Sequence, residues 1–299
     1  MAYTEIKEKN SRTYFYRVKS VRKGKKVEKK RVYLGVDLDK NKLRELEKKA
    51  DKELMLLSSL LSESEKKELS VIKERYSREN REHKQKKYEA FVSLFTYDST
   101  NIEGNTLTLQ ETSQLLFEGI TPRKSLREIN EVINHKEAFD FMLKHKKDIS
   151  REFILNLHKL VIKNTLRPEL EAQTGKYRTL RVYIRGARWI PPKPEEVPRE
   201  MASLLSWYAK NKKKAHPLVL SAYFHSAFEI IHPFVDGNGR VGRLLMNFIL
   251  HKNNYPMINI PNKKRYIYYK ALESSQVKGN LKPLVDFLFI LLKEEGIKF

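Results

Sequence analysis

The sequence contains no cysteine in 299 residues. This absence excludes a disulfide framework, a thiolate metal site and a catalytic cysteine. Long apolar runs are also missing, because His, Asp or Ser interrupts each stretch before it reaches the length of a membrane span. Met1–Asn10 lacks the apolar segment of a signal peptide. These absences predict a soluble, cytoplasmic protein with no membrane partner.

Glycine is scarce, with 11 residues in the chain. There is no P-loop lysine motif, and no Rossmann-type glycine pattern follows a predicted strand, so the usual nucleotide-binding folds are excluded. Positive charge is abundant instead: 60 lysine and arginine residues against 37 acidic ones give a formal charge of +23. Such a surface attracts nucleotides, nucleic acids or acidic membrane surfaces, and the charge alone does not choose among them.

Aromatic and β-branched residues alternate from Thr13 to Gly35, and Lys23-Gly24-Lys25 divides the run into halves, which predicts a β-hairpin. Between Arg17 and Arg31 there are nine basic residues and one acidic residue. Two interpretations stay open. In the first, residues 12–35 bind DNA or RNA through phosphates and stacked bases. In the second, they form a solvated sheet edge whose lysines discourage aggregation.

Helical periodicity governs most of the remaining chain. From Asp39 to about Tyr97 it predicts two long helices, the second opened by a capping box at Ser62-Glu63-Ser64-Glu65. Further helices are predicted over Leu107–Phe117, Ser125–His145, Arg151–Asn164, Val197–Lys210, Leu218–Ile231, Val241–Lys252 and Lys282–Glu294. A short strand pair is predicted over residues 181–184 and 187–190. The fold class is therefore mostly α.

One polar loop lies between two of these helices, over Ile231-His232-Pro233-Phe234-Val235-Asp236-Gly237-Asn238-Gly239-Arg240-Val241-Gly242-Arg243. A loop that leads into a helix N-terminus binds anions, because free N–H groups and the positive end of the helix dipole face the ligand. Gly237 and Gly239 let the backbone approach a phosphate, and Arg240 and Arg243 add guanidinium groups for its oxygens. The pattern predicts a phosphate site.

Two further side chains of this loop supply chemistry. Asp236 is a single carboxylate, which suits Mg²⁺ because that ion takes most other ligands from substrate phosphates and water. His232 is the nearby group able to accept a proton near neutral pH. A zinc site at His225 and His232 is a weaker alternative, since no third ligand is evident. The loop thus predicts transfer between a metal-bound phosphate chain and a hydroxyl.

The loop resembles the signature of the Fic family, His-x-Phe-x-Asp/Glu-Gly-Asn-Gly-Arg-x-x-Arg, at every fixed position. The resemblance implies a Fic-type helical bundle with a β-hairpin flap, and a protein adenylyltransferase that moves AMP from ATP to a Ser, Thr or Tyr hydroxyl of a target protein. In that family pattern His232 deprotonates the hydroxyl and Asp236 holds Mg²⁺. The phosphates would be bound by Gly237, Asn238, Gly239 and Arg240, and the distal one by Arg243.

Gly239 of the loop and two segments outside it extend the resemblance. Family members that transfer a whole phosphate have lysine where Gly239 stands, so AMP transfer is favoured. Ser99-Thr100-Asn101-Ile102-Glu103-Gly104 resembles the family's inhibitory pattern, which implies that Glu103 pairs with Arg243 and restrains the enzyme. Alternatively, Ser99 caps a turn and Glu103 is a surface charge. The strand pair at 181–190 lies where the family has the flap that docks the target, although an ordinary hairpin is the alternative.

The sequence therefore predicts a basic N-terminal hairpin module (1–38), a helical linker (39–90) and a Fic domain (91–299) that includes an inhibitory helix around 99–105. The family resemblance also suggests a homodimer. One rival hypothesis is a nucleic-acid-binding regulator that uses the Fic site as a nucleotide sensor. Another is removal of AMP from a modified target, with Glu103 positioning a water.

Overall fold

The computed structural model describes residues 2–9, 11–23, 26–54, 59–79, 81–184, 186 and 189–297. The chain forms two compact units, Met1–Ser59 and Leu60–Phe299. The domain boundaries predicted after residues 38 and 90 stay predictions.

The first unit contains an antiparallel sheet of order β1-β2-β3, followed by helix α1. The bounds are β1 Ala2–Lys9, β2 Arg12–Lys23, β3 Lys26–Val36 and α1 Lys40–Leu54. Strands β2 and β3 are the predicted hairpin, and residues 24 and 25 of its predicted turn lie outside the described residues. Strand β1 was not predicted, because its mostly polar sequence AYTEIKEK offers little β pattern and its place depends on backbone pairing with β2.

Helix α1 covers one face of this sheet. Phe15, Leu34 and Ala50 form a small buried cluster. Beside them Arg17 donates two hydrogen bonds of 2.8 Å to the two carboxylate oxygens of Asp51 on α1. Side chains alternate along a strand, so Tyr14 and Tyr16 point to the opposite face.

The second unit is helical among its described residues. Its α-helices are α2 Glu63–Arg78, α3 Arg81–Asn101, α4 Leu109–Ser113, α5 Leu126–Lys144, α6 Arg151–Val161, α7 Val197–Asn211, α8 Pro217–Ile231, α9 Asn238–Lys252, α10 Arg265–Lys278 and α11 Lys282–Ile297. The mostly α fold class is confirmed. No helix among the described residues is long and apolar enough to cross a membrane.

Some predicted helices have different bounds. The two long helices expected over 39–97 are three, α1, α2 and α3, although the capping box at Ser62 and Glu65 is confirmed. Leu107–Phe117 is the short helix α4 followed by a π-helical turn at Gln114–Glu118. Helix α6 ends before Asn164, whose φ of 56° does not continue a helix. Helix α10 was not predicted, because its tyrosines obscure the apolar stripe.

The strand pair predicted over 181–184 and 187–190 is wrong for its described part. Residues 181–184, 189 and 190 are not in strands, and residues 187 and 188 lie outside the described residues. An isolated pair of short strands is marginal in water, because it has no third strand and no large apolar face to bury. Alternating sequence was therefore not enough to form a ladder here.

Helix α8 lies at the centre of the second unit. Its side chains Leu220, Phe224 and Phe228 are fully buried, as expected for a helix that is apolar on all sides. The core cluster extends from it to α9, where Leu244 and Leu245 are also buried. The loop between α8 and α9 is thus held at both ends by core helices.

Candidate active site

The loop between α8 and α9 has a defined backbone. His232 ends α8 with a left-handed φ of 48°, and Gly237 precedes α9 with a φ of 81°. The Asn238 side chain bonds both main-chain groups of Phe234 at 2.9 Å, which closes the loop on itself. The first intrahelical bond is donated by Val241 to the Gly237 carbonyl at 3.0 Å. The earlier N–H groups of α9 have no helical acceptor and suit an anion.

A buried histidine that the sequence did not single out supports this loop. The His158 ring stacks on Phe234 at 3.7 Å, and its Nε2 lies 3.1 Å from the main-chain oxygen of Asp236. The N–H of Gly175 donates to its Nδ1 at 3.2 Å. Burial lowers the pKa of His158 to about 3, so the ring is neutral and donates through Nε2. The stretch 175–178 is thereby tied to the loop.

Arg178 supports the same loop from a second direction. Its side chain is 2 % exposed and donates to the carbonyl oxygens of His232 at 2.8 Å, Leu180 at 3.1 Å and Pro192 at 2.7 Å. Its main-chain N–H donates to the Pro233 carbonyl at 2.9 Å. A buried guanidinium with several oriented acceptors fixes geometry well, since its donors form a rigid fork. Arg178 joins the segment 180–192 to the end of α8.

His232 lies at the start of the loop that leads into α9. Burial is the largest cause that lowers its pKa to about 4, so the imidazole is neutral near pH 7 and has a free lone pair. Its Nδ1 has no hydrogen-bond partner among the described residues and lies 3.9 Å from Oε2 of Glu229. Glu229 was not predicted to lie beside His232.

Asp236 accepts two close hydrogen bonds through one oxygen. Its Oδ1 accepts from the N–H of Gly237 at 2.6 Å and from Nη2 of Arg240 at 3.0 Å. Among the described residues its Oδ2 accepts one longer bond, of 3.3 Å from Arg127, and the side chain is 33 % exposed. No cluster of three metal-binding side chains exists among the described residues. One accessible carboxylate oxygen fits Mg²⁺ that takes its other ligands from phosphates and water.

Glu103 and Arg243, the second arginine of the predicted phosphate site, meet directly. Nη2 of Arg243 donates to Oε1 of Glu103 at 2.8 Å and to the main-chain oxygen of Ser99 at 2.7 Å. Nε of Arg243 donates to the Ser99 hydroxyl at 3.0 Å. Burial disfavours the charge on Arg243, but the Glu103 carboxylate together with Tyr268 and Tyr269 outweighs it and raises the arginine pKa. Ser99 and Glu103 thus accept three hydrogen bonds from the guanidinium group of Arg243.

Gly239 explains why the Glu103 carboxylate fits there. A Cβ on Gly239 would lie 2.1 Å from Oε1 of Glu103 and 2.9 Å from Nη1 of Arg243. The carboxylate therefore rests on the first turn of α9, where the helix dipole favours negative charge. This is the place where the sequence predicts substrate phosphate.

The segment Arg265–Tyr269 begins helix α10 beside this motif. The Tyr269 hydroxyl lies 3.5 Å from the main-chain oxygen of Ile102, and Tyr268 is buried with its hydroxyl 2.6 Å from Nε2 of His225. These contacts place the start of α10 against Ile102 and His225.

The fold and the loop define a helical protein with a free helix N-terminus next to a neutral histidine. A profile of the Fic/DOC family matches residues 148–250. The protein adenylyltransferase fic-1 of Caenorhabditis briggsae is 36 % identical over 202 residues, covering 65 % of this chain and 38 % of its own. The protein adenylyltransferase Fic of Nematostella vectensis is 33 % identical over 198 residues, covering 64 % and 45 %.

Solved structures of Fic proteins have a similar fold. A Fic-domain signaling protein from Bacteroides thetaiotaomicron superposes with a TM-score of 0.71 at 28 % identity, over 78 % of this chain and 95 % of its own. Fic-1 of Caenorhabditis elegans gives 0.69 at 27 % identity, over 88 % and 77 %. The protein therefore carries a domain of the Fic/DOC family. The chain spans less than half the length of the curated relatives it matches.

Proposed function

We propose that this protein is an adenylyltransferase that moves AMP from ATP to a Ser, Thr or Tyr hydroxyl of a target protein. The observation that carries the proposal is the arrangement of a neutral His232 beside the free N-terminus of α9. The relatives named protein adenylyltransferase match about two thirds of this chain, which supports the same activity.

The chemistry follows from these groups. His232 takes the proton of the target hydroxyl as the oxygen forms a bond to the α-phosphorus of ATP, and the bond from that phosphorus to the bridging oxygen breaks to release pyrophosphate. The N–H groups of α9, together with Arg240, stabilise the phosphate charge. Mg²⁺ held by Asp236 would neutralise further charge on the phosphates. Gly239 leaves the space that those phosphates need.

We further propose that Glu103 restrains this activity. Its carboxylate neutralises Arg243, which would otherwise bind the distal phosphate, and lies on the first turn of α9. A carboxylate at this place repels the ligand's own negative charge. ATP then binds weakly or with its α-phosphorus out of reach of the target hydroxyl.

The first experiment compares wild type, Glu103→Gly and Glu103→Gly/His232→Ala in Mg²⁺ with α-labelled ATP, followed by mass spectrometry of the protein. Strong AMP labelling by Glu103→Gly that is lost with His232 supports both roles, and omission of Mg²⁺ tests the metal. Absence of labelling by every form, despite measured ATP binding, rejects the proposal and favours a nucleotide sensor. An AMP-modified substrate incubated with wild type tests the rival activity of AMP removal.

A second candidate function comes from the open face of the N-terminal sheet. Tyr16 pairs with Tyr33 across β2 and β3, with ring centroids 5.3 Å apart, and Lys7 lies 5.6 Å from the centre of the Tyr16 ring. Tyr33 is 54 % exposed. Residues 1–40 hold 13 basic and 5 acidic residues. Exposed aromatic rings among cations bind bases and phosphates, so we propose that this face binds nucleic acid.

Fluorescence anisotropy with the full chain tests this candidate on single-stranded and duplex oligonucleotides over a range of salt. Tyr16→Ala/Tyr33→Ala should weaken single-strand binding by at least about tenfold, because each stacked base contributes about 1–3 kcal/mol. Tyr183→Ala is the control, since that tyrosine is 76 % exposed and belongs to the second unit. Binding that ignores both salt and these tyrosines contradicts the candidate. A cytoplasmic location and a homodimer stay predictions.

A further inference from the structure

A short turn carries Glu103 to the first turn of α9 and then leads away from it. The main-chain N–H of Glu103 donates to the Thr100 carbonyl at 3.0 Å, and Gly104 follows with a positive φ of 103°. A glycine at this φ ends the helical turn and lets the chain change direction. The place of Glu103 therefore depends on what holds the chain just after Gly104.

Asn105 is the first buried residue after Glu103, with 4 % of its surface exposed. Its Nδ2 donates to Oε2 of Glu131 and to the main-chain oxygen of Glu128, both at 3.0 Å. Its Oδ1 accepts from the N–H of Leu107 at 3.0 Å. Both amide protons and the amide oxygen are thus bonded, which fixes the orientation of the side chain and attaches the turn to α5.

The acceptor Glu131 is itself connected to the loop that precedes α9. It is 8 % exposed, and its Oε1 accepts from Nε of Arg127 at 3.2 Å. Nη2 of Arg127 donates in turn to Oδ2 of Asp236 at 3.3 Å. The same Oε1 lies 3.7 Å from Nη1 of Arg240. A chain of hydrogen bonds therefore connects the turn after Glu103 with the carboxylate that the proposed function assigns to Mg²⁺.

The neighbouring contacts of this turn are weaker anchors. Thr106 donates to Oε1 of Glu128 from its main-chain N–H at 3.1 Å and from its hydroxyl at 2.6 Å, but both bonds are exposed to water. Water competes for an exposed hydrogen bond and is excluded from a buried one, such as that from Asn105 to Glu131. The buried bond therefore contributes more to holding the turn in place.

We propose that Asn105 is a positioning residue, which holds Glu103 on the first turn of α9 through its hydrogen bond to Glu131. A hydrogen bond to a charged acceptor stabilises more than a neutral one, and here it is buried. Loss of the bond lets the turn move away and leaves Arg243 free for the distal phosphate. This inference rests on the proposed function, in which Glu103 restrains AMP transfer.

One pair of substitutions isolates the bond. Asn105→Asp removes both donors and places a second carboxylate against Glu131, which should release the turn. In Asn105→Asp/Glu131→Gln the glutamine amide donates to the new carboxylate, which restores the bond with donor and acceptor exchanged. Asn130→Asp is the matched control for charge, because Asn130 also lies on α5 and its amide bonds the Asn164 carbonyl at 3.4 Å instead.

Hydrogen exchange of the full-length protein, measured by mass spectrometry, reports on the turn without any need for activity. We expect residues 99–107 to exchange at least about tenfold faster in Asn105→Asp and to return to within about threefold of wild type in the double variant. Unchanged exchange in Asn105→Asp, or no recovery in the double variant, overturns the inference. An equal acceleration by Asn130→Asp also overturns it, since added charge on α5 would then be the cause.

Thermal unfolding shows whether each variant folds. If Asn105→Asp does not fold, Asn105→Ala takes its place, because it removes the same donors without adding a charge. Faster exchange of residues 99–107 in Asn105→Ala supports the inference, and exchange equal to that of wild type overturns it.

AMP transfer gives a second reading. Asn105→Asp should raise the rate of AMP labelling by about 5- to 30-fold over wild type, yet stay within about twofold in the Glu103→Gly background, which has no carboxylate to position. Damage to the fold lowers a rate, so a gain that depends on Glu103 separates positioning from stability. A gain in both backgrounds, or in neither, overturns the inference. If Glu103→Gly itself transfers no AMP, the proposed function fails, and hydrogen exchange alone decides whether Asn105 holds the turn.

Discussion

Replacing Glu103 by glutamine is the sharpest test of the restraint that we propose for this site. Glutamine keeps the shape of the side chain and a carbonyl that accepts from Arg243, but it removes the negative charge from the first turn of α9. The exchange therefore isolates the charge of Glu103 from the space that it fills. We expect faster AMP transfer and tighter ATP binding.

The size of the effect follows from the contact. The ion pair spans 2.8 Å, with the Arg243 side chain 1 % exposed and that of Glu103 34 % exposed. A hydrogen bond between charged groups contributes about 1.5–3 kcal/mol, and a neutral one about 1 kcal/mol. The difference of about 1–2 kcal/mol predicts a 5- to 30-fold rise in rate at low ATP.

Ser99→Ala provides a graded comparison. It removes the hydroxyl that accepts from Nε of Arg243, but leaves the main-chain oxygen of Ser99 and the Glu103 carboxylate in place. Its effect on the rate should therefore stay below about fivefold. Glu89→Gln is the matched control for charge, because Glu89 is an exposed residue of α3.

The assay is the initial rate of AMP incorporation over a range of ATP concentrations, with thermal unfolding in parallel. The reasoning is refuted if Glu103→Gln is no faster than Glu89→Gln, or if Ser99→Ala exceeds Glu103→Gln. In either case the ion pair would be a structural contact without a restraining effect.

Three further predictions concern residues that pack around the loop between α8 and α9 and the protonation of Glu229. Arg178→Met should destabilise the protein by about 3–5 kcal/mol, because it leaves buried carbonyls unpaired, and chemical unfolding should show less loss for Arg178→Lys. Gly237→Ala should lower activity and stability together, since φ is 81° and the new Cβ would lie 2.8 Å from Ile162; wild-type unfolding would contradict this. Burial raises the pKa of Glu229 to about 8 in the folded protein. Between the ordinary carboxyl pKa and pH 8, the folded protein therefore keeps a proton on Glu229, whereas the unfolded chain has released it. The free energy of unfolding then falls as pH rises through this range. Urea unfolding between about pH 5.5 and 7.5 should show this fall for wild type and not for Glu229→Gln. Equal slopes of the free energy of unfolding against pH for the two proteins would argue against a protonated Glu229.

The central part of the site could be predicted from sequence because its residues are close together in the chain. The order of His232, Asp236 and Gly237 at a helix boundary is enough to predict a tight loop between two helices, since local geometry depends on neighbours. The meeting of Glu103 with Arg243 spans 140 residues, and it was expected only through the family resemblance. Composition and periodicity carry no information on such a pairing.

The supporting residues could not be predicted for a different reason. Arg178 and His158 act on main-chain oxygens, which every residue possesses, so no partner residue type in the sequence marks their role. The absence of strands at 181–184 has a related cause. An alternating pattern states which residues suit a strand, but a ladder also needs a partner strand and a face to bury.

The main-chain contacts of Arg178 determine which positions near His232 tolerate a change of side chain. It binds the carbonyl oxygens of Leu180 and Pro192, and it does not depend on the side chains at those positions. The segment between them can exchange its side chains while both of its ends stay anchored beside His232. Sequence changes at the described positions 181–184, 189 and 190 should therefore leave the backbone at His232 in the same place.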